Sequence, residues 1–266
     1  MYVLYADIMG FKERVMRTKH QELEEELEGL KNKFDKWIKP FLDNVETFKV
    51  SMFSDSILIV DENTREGFNR ISKAGLGLMH VALTASFPLK GAIAKGLFSY
   101  KEDKQLFFGR ALVDAYLLQE QIHYYGIVAH NSIEKDIEEH AKGWLVKNKK
   151  KGDNSYILKG DNPYILSSIP FKSGNISHYH LAYNLMSNTR EIGNDVTATH
   201  RSIISSLKEI RHTVSGAPRI YVDKTLQVLK DDLLIFNKKK EKQEKQEKKE
   251  KQKDKEVVFP LDNTED

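Results

Sequence analysis

The stretch FKVSMFSDSILIVDE, residues 48–62, contains two apolar runs that are separated by the polar triplet 54–56. Two runs of β-branched and aromatic residues around a short polar tip predict a β-hairpin, and Asp55 occupies the centre of its tip. A strand pattern and a long helical pattern precede this hairpin, while a helical pattern and a strand pattern follow it. Because connections between neighbouring elements are short and do not cross, this order restricts the chain to few topologies.

The elements around the hairpin follow the order βαββαβ. YVLYADI, residues 2–8, predicts the first strand, and residues 12 to about 43 carry a helical pattern rich in Glu, Lys and Leu. Residues 65–86 repeat apolar side chains at helical spacing, and Pro88 separates them from the strand LKGAIAKGLF. The order predicts an α+β fold whose core is a ferredoxin-like split βαβ sheet with helices packed on one face.

Three segments complete the predicted organisation. A short strand at 105–108, a helix that begins with GRALVDAY, and the strand YGIVAH extend the core to residue 131. Residues 132–237 show a β-rich pattern and then a helical one, which predicts an α/β extension packed on the core. Residues 238–266 form a lysine-rich tail with almost nothing apolar to bury, so we expect either a solvated helix or disorder there.

Composition excludes several function classes. The chain has no cysteine, which rules out thiolate nucleophiles, disulfides and cysteine-ligated zinc. The formal net charge is +3, and no dense basic patch is interleaved with aromatic residues, so we expect no nucleic-acid partner. The sequence shows neither a signal-peptide pattern nor about 18 consecutive apolar residues, which predicts a cytoplasmic protein without a membrane span.

Two acidic residues are expected to meet at one end of the predicted sheet. In a split βαβ sheet the first strand lies beside the hairpin, so the strand end at Asp7 and the hairpin tip at Asp55 converge. Two adjacent carboxylates repel each other unless a cation lies between them. Mg²⁺ is bound by carboxylates, waters and substrate phosphates, and the Ile8 carbonyl offers one further oxygen ligand.

The residues that follow this strand predict a phosphate site. Met9, Gly10 and Phe11 occupy the turn from the strand into the first helix, where free backbone N–H groups and the helix dipole favour an anion. A divalent metal site beside a phosphate site points to a nucleoside triphosphate as the substrate.

Four motifs together resemble a known family. They are the strand-Asp-Ile-x-Gly-Phe motif, the Phe-Ser-Asp-Ser hairpin, the LKGAIAKG strand and the FFGRALVDAYLLQ helix. Their order and approximate spacing are similar to those of class III nucleotidyl cyclase catalytic domains. Among these the chain looks most like the pyrimidine (uridylate or cytidylate) cyclases of the bacterial Pycsar anti-phage systems. The resemblance covers about residues 2–131.

The resemblance implies an activity and an assembly. It implies a homodimer with composite active sites, in which the helix at 109–123 of one subunit faces Asp7 and Asp55 of the other. Two Mg²⁺ or Mn²⁺ ions would bind these carboxylates while the ribose 3′-oxygen attacks the α-phosphate, giving a 3′,5′-cyclic nucleotide and pyrophosphate. A separate effector that binds the cyclic nucleotide would then produce the anti-phage response.

The chain departs from the purine-specific members of this family. Ser51 and Leu106 stand where those cyclases carry a polar base-reading pair, and Val113 and Leu117 replace the Asn and Arg of their helix. Charge neutralisation then depends on other cations. We expect Lys90 and Arg110 to supply it, and Lys90 stands where the Pycsar cyclases commonly have Arg. A lysine keeps the charge of an arginine but not its two-pronged geometry.

Three hypotheses remain open from the sequence. The first is an active pyrimidine nucleotide cyclase that uses UTP or CTP, with Ser51 contacting the base. The second is a purine cyclase, and the third is a catalytically reduced cyclase-like protein that binds a nucleotide or a partner. Apart from these hypotheses, His178-Tyr179-His180 has a spacing compatible with a metal site, but we interpret it as a surface strand.

Overall fold

The computed structural model describes residues 1–42, 45–140, 146–147, 156–157, 163–182 and 196–256. The strands are β1 (Tyr2–Ile8), β2 (Lys49–Phe53), β3 (Ser56–Asp61), β4 (Leu89–Lys95), β5 (Ser99–Lys101), β6 (Leu106–Phe108), β7 (Gly126–Ala129), β8 (Val146–Lys147), β9 (Tyr156–Ile157), β10 (Tyr164–Phe171) and β11 (Gly174–Leu181). The helices are α1 (Phe11–Arg17), α2 (His20–Ile38), α3 (Arg65–Thr84), α4 (Arg110–Gln121), α5 (Glu134–His140), α6 (Val196–Thr213) and α7 (Ala217–Glu256).

The strand order confirms the predicted α+β fold. A seven-stranded sheet has the order β10-β11-β7-β4-β1-β3-β2. The segment β4-β1-β3-β2 is the order of the split βαβ arrangement, with β1 antiparallel to both of its neighbours. β7 joins β4 in parallel, which makes the sheet mixed.

The two faces of β1 have different environments because successive side chains of a strand point to opposite sides. Leu4 and Ile8 belong to the main core, which they share with side chains of α2 and α3. Val3 packs on the opposite face with Ala111 of α4. Asp7 lies on this second face, two residues beyond Tyr5, so α4 and the carboxylate share one side of the sheet.

The predicted helix at 12–43 is divided in the structure. Thr18 and Lys19 have extended backbones, with ψ of 145° and 141°, and they separate α1 from α2. The Thr18 N–H still donates to the Arg14 carbonyl at 2.9 Å, which closes the last turn of α1. The prediction of one continuous helix was wrong. The sequence gives no signal for the break, because neither glycine nor proline occurs there.

The C-terminal part of the chain adds strands to the core sheet. β11 pairs with β7 through His180 and Val128, and β10 continues the sheet beyond it. α7 runs from Ala217 to Glu256 without interruption, so residues 238–256 of the predicted tail are helical. Residues 141–145, 148–155, 158–162, 183–195 and 257–266 of the predicted extension and tail lie outside the described residues.

α7 is attached to the sheet by buried polar contacts. The Tyr125 N–H donates to Thr225 Oγ1 at 2.8 Å, and His180 Nε2 lies 3.0 Å from Ser167 Oγ and 3.1 Å from Asp232 Oδ1. His180 and Asp232 are completely buried. The interpretation of 178–180 as a surface strand is therefore wrong for His180, because α7 covers it.

Within the described ranges, no helix combines the length and the apolar character that crossing a membrane requires. The same ranges contain no group of three or more His, Asp or Glu side chains placed to hold a metal ion.

Candidate active site

Asp7 and Asp55 lie next to each other at one end of the central strands. Asp7 is the penultimate residue of β1 and faces Ser56, the first residue of β3. Asp55 occupies the turn between β2 and β3, and its carbonyl accepts a hydrogen bond from the Ile8 N–H at 2.8 Å. This bond fixes the hairpin turn to the end of β1.

The electrostatics of Asp7 reflect this position. Burial, and after it the neighbouring charge of Asp55, raise the pKa of the Asp7 carboxyl to about 6. Lys90 acts in the opposite direction, while Glu120 adds a smaller raising effect. The folded chain therefore holds a carboxylate where its negative charge is unfavourable.

This pair fits a divalent cation. A positive ion between two carboxylates removes the repulsion that raises the pKa of Asp7. Asp7, Asp55 and the Ile8 carbonyl are the groups that would hold such an ion. With two carboxylates available, the remaining ligands would come from waters and substrate phosphates, which is the usual arrangement for Mg²⁺.

The raised pKa of Asp7 predicts a pH-dependent effect on stability. A carboxyl whose pKa is higher in the folded state binds its proton more tightly there, so its ionisation destabilises the fold above about pH 6 and not below pH 4. We expect Asp7→Asn to stabilise the metal-free protein at pH 8 by about 1–2 kcal/mol, a value reduced because solvent screens this partly exposed side chain. This gain corresponds to an increase of roughly 2–6 °C in Tm.

Thermal melts at pH 8 and pH 4.5 in EDTA measure this effect. The gain should be clearly smaller at pH 4.5, because Asp7 is then mostly protonated in the folded chain. Asp103→Asn, at an exposed position, should show no gain at either pH. A variant that melts below the wild type at pH 8 would contradict the unfavourable charge at Asp7.

Lys90 is a buried cation beside the carboxylate pair. It lies on β4 opposite Asp7, and only 5% of its surface is exposed. Its ammonium group is 3.4 Å from Glu120 Oε1 near the end of α4. Gln119 Nε2 donates to the same oxygen at 3.1 Å. Lys90 is thus held by α4 in a position to offset negative charge at the sheet end.

The predicted phosphate-binding turn is only partly available. The Met9 N–H donates to the Pro88 carbonyl at 2.8 Å, so the prediction of a free N–H is wrong for Met9. Gly10 adopts φ of 74°, a left-handed conformation that favours glycine, and caps α1 before Phe11. This turn lines a groove of about 970 Å³ together with the Ser86–Pro88 segment and the α6–α7 connection. Asp7 and Asp55 do not line that groove.

Ser51 lies on the same sheet face as Asp7, because Ser51, Leu58 and Tyr5 are register partners across three strands. Its hydroxyl is not free, however. Ser51 Oγ is 2.8 Å from the hydroxyl of Tyr100 on β5, and the Tyr100 ring packs on Phe107 of β6 at 4.6 Å between centroids. A ligand that approaches Ser51 would therefore meet a pair of hydroxyl groups.

Arg110 does not join the other candidate residues within one protomer. It is the first residue of α4, its side chain is 82% exposed, and its nearest acidic partner is Asp114 at 3.4 Å. Glu120, which contacts Lys90, is ten residues further along the helix, a rise of about 15 Å. Within one protomer α4 therefore does not bring Arg110 to Asp7, and its role in charge neutralisation stays a prediction.

Sequence reasoning missed Tyr100 and Glu120. Both are separated from their partners by long stretches of chain, 49 residues for Ser51–Tyr100 and 30 for Lys90–Glu120. The one available signal was the helical spacing of the α4 face, because Ala111, Ala115 and Gln119 are its buried residues and Glu120 adjoins the last of them.

Comparisons with known proteins give structural neighbours at low identity. No protein-family model and no curated protein matches the chain. Solved structures similar to it include the catalytic core of a rhodopsin-guanylyl cyclase with converted specificity, in complex with ATPalphaS, at 15% identity, covering 68% of this chain and 94% of that one with a TM-score of 0.46. The guanylate cyclase domain of RhGC from Catenaria anguillulae, in complex with GTP, is similar at 14% identity. The match covers 68% of this chain and 94% of that one, with a TM-score of 0.45.

The adenylyl cyclase CyaB from P. aeruginosa is similar at 12% identity, with 68% and 92% coverage and a TM-score of 0.44. These neighbours are adenylyl and guanylyl cyclase catalytic domains. At TM-scores below 0.5 this likeness carries no argument about activity, which is proposed below from the geometry of the site.

Proposed function

We propose that this protein is a metal-dependent nucleotidyl cyclase that converts UTP or CTP to a 3′,5′-cyclic nucleotide and pyrophosphate. The observation that carries the proposal is the pair Asp7 and Asp55, placed together by the β1 end and the hairpin turn. Burial and mutual repulsion raise the pKa of Asp7 to about 6, which is the electrostatic state that a bound divalent cation relieves.

Each group of the site has a part in this chemistry. Asp7, Asp55 and the Ile8 carbonyl would hold Mg²⁺ or Mn²⁺, which when bound would lower the pKa of the ribose 3′-hydroxyl and neutralise the triphosphate. Lys90 offsets phosphate charge from a buried position where solvent screens it little. We expect the N–H groups of Gly10 and Phe11, at the start of α1, to donate hydrogen bonds to phosphate oxygens.

We further propose that the active form is a homodimer. α4 presents three apolar side chains to solvent: Val113, Tyr116 and Leu117 are 52%, 44% and 57% exposed. Phe53 beside the hairpin turn is 83% exposed, and Phe108 of β6 is 54% exposed. Because α4 lies on the sheet face that carries Asp7, a second copy packed there would cover this apolar surface and bring Arg110 towards the partner's carboxylates.

The base preference is predicted from the Ser51–Tyr100 pair. The hydroxyl groups of Ser51 and Tyr100 are bonded to each other and Leu106 is apolar, so these residues offer no free polar pair to read the distal edge of a purine. A hydroxyl can donate or accept, so a pyrimidine edge is matched directly or through water. We expect kcat/KM for UTP or CTP to exceed the values for ATP and GTP by about tenfold or more.

Incubation of the purified protein with each of the four ribonucleoside triphosphates and Mn²⁺, followed by mass analysis, tests both the activity and the base. Asp7→Asn protein serves as the blank. A higher kcat/KM for ATP or GTP would replace the pyrimidine proposal with a purine cyclase. Binding of nucleotide without any cyclic product would support the reduced, non-catalytic alternative, which the apolar residues Val113 and Leu117 on α4 favour.

The proposed biological role rests on the resemblance to the Pycsar cyclases. A cyclic nucleotide has no defensive effect alone, so we propose a separate effector that binds it during anti-phage defence. We also propose a cytoplasmic location, where nucleoside triphosphates are available, and no nucleic-acid partner.

A further inference from the structure

Three lysines from distant parts of the chain come together around the end of α4. We call Lys90, Lys172 and Lys224 the lysine cluster. The ammonium groups of Lys90 and Lys172 lie 3.4 and 3.9 Å from the two carboxylate oxygens of Glu120. Lys224, on α7, lies 2.9 Å from Nδ1 of His123. Lys90 connects the cluster to the candidate site, because it faces Asp7 across the β1–β4 ladder.

Backbone hydrogen bonds set the position of this cluster. The Lys172 N–H donates to the Gln121 carbonyl at 2.8 Å, and the His123 N–H donates to the Pro170 carbonyl at 3.0 Å. An isolated β-bridge between Ile122 and Phe171 lies between these two bonds. Backbone hydrogen bonds between residues 121–123 and 170–172 therefore fix the position of Lys172 next to the end of α4.

The cluster has more positive charge than its partners neutralise. Lys90 and Lys172 share the carboxylate of Glu120, while Lys224 has an imidazole as its partner, so the three ammonium groups outnumber the carboxylates that pair with them. Burial, then Lys224, Lys172 and Lys90, lower the pKa of His123, so its imidazole is neutral at pH 7 and accepts from Lys224. In the described part of the chain, no carboxylate oxygen lies within 4 Å of the Lys224 ammonium group.

We propose that Lys224 binds the distal phosphates of the substrate, and then pyrophosphate, within its own protomer, with Lys90 and Lys172 as neighbouring charges. This inference rests on the proposed function. The ligand is a polyphosphate anion because closely spaced ammonium groups match several negative oxygens. α7 thereby contributes a binding residue from outside the split βαβ core.

Pyrophosphate binding to the full-length, metal-free protein tests this inference without turnover. Calorimetric titration should show about tenfold weaker pyrophosphate binding for Lys224→Gln than for the wild type. Lys230→Gln, an exposed lysine on the same helix, is the matched control and should bind like the wild type. The three proteins should have equal melting temperatures, which excludes a merely structural effect of residue 224.

A second readout is the pKa of the His123 imidazole, measured by NMR. The His123→Gln variant identifies its signal by the loss of that signal. Pyrophosphate should raise the pKa of His123, because the anion neutralises the lysine charges that lower it. Pyrophosphate affinity of Lys224→Gln within twofold of the wild type, or an unchanged His123 pKa, would overturn the inference even if the protein is an active cyclase. Conversely, Lys224-dependent binding in a protein that forms no cyclic nucleotide would uphold the anion site and refute the proposed function.

Discussion

Asp7→Asn and Asp55→Asn are each expected to reduce cyclase turnover by about a thousandfold or more while the fold stays intact. Each substitution keeps the side-chain volume but removes one of the two negative charges that would hold the cation. Loss of a metal ligand at a phosphoryl-transfer site costs several kcal/mol of transition-state stabilisation, and about 4 kcal/mol corresponds to a factor of a thousand.

The measurement is the initial rate of cyclic nucleotide formation at saturating Mn²⁺, with circular dichroism as the check on folding. Asp103→Asn is the charge-matched control at an exposed position and should retain full activity. If either site variant kept a rate within about tenfold of the wild type, the assignment of these carboxylates to the metal would fail.

Leu117→Glu is expected to convert the proposed homodimer to a monomer and to lower activity by about a hundredfold at micromolar protein. Leu117 is 57% exposed on α4, and a charge there would be buried without a partner in the proposed interface. The side chain contributes little to the isolated fold, so the monomer should remain folded. Light scattering and the cyclase assay, performed over the same concentration range, measure the two effects.

Leu234→Glu provides the control for a charge placed on an exposed leucine. Leu234 is 50% exposed on α7 and is not part of the proposed α4 interface, so the variant should remain dimeric and active. A wild-type protein that is monomeric at micromolar concentration and still active would contradict the shared site.

The local sequence pattern predicted the elements that carry the carboxylates. Asp55 lies in a turn between two strands whose alternating and apolar residues are contiguous in sequence, so the hairpin was predictable within a few residues. The position of Asp7 beside it followed from the strand order of a split βαβ sheet. The break between α1 and α2 was not predictable, because Thr18 and Lys19 are ordinary helical residues by composition.

The contacts that complete the site depend on residues far apart in sequence. Lys224 and His123 are separated by 101 residues, and their proximity requires α7 to pack against the end of the sheet. Burial of His180 has the same cause. A single sequence has no pattern that encodes such a packing arrangement, because each helix face is compatible with several neighbours.

The β5–β6 hairpin has a consequence for how nucleobase choice can change over time. It forms its own two-stranded sheet, and its Tyr100 reaches Ser51 only through side chains. The proposed metal ligands, in contrast, are fixed by the central ladders and the hydrophobic core. Substitutions in the small hairpin can therefore alter the surface around Ser51 without changing the strand pairings that position the carboxylates. In the proposed cyclase, base selectivity and catalytic competence are thus separable, and related chains can diverge in one while they preserve the other.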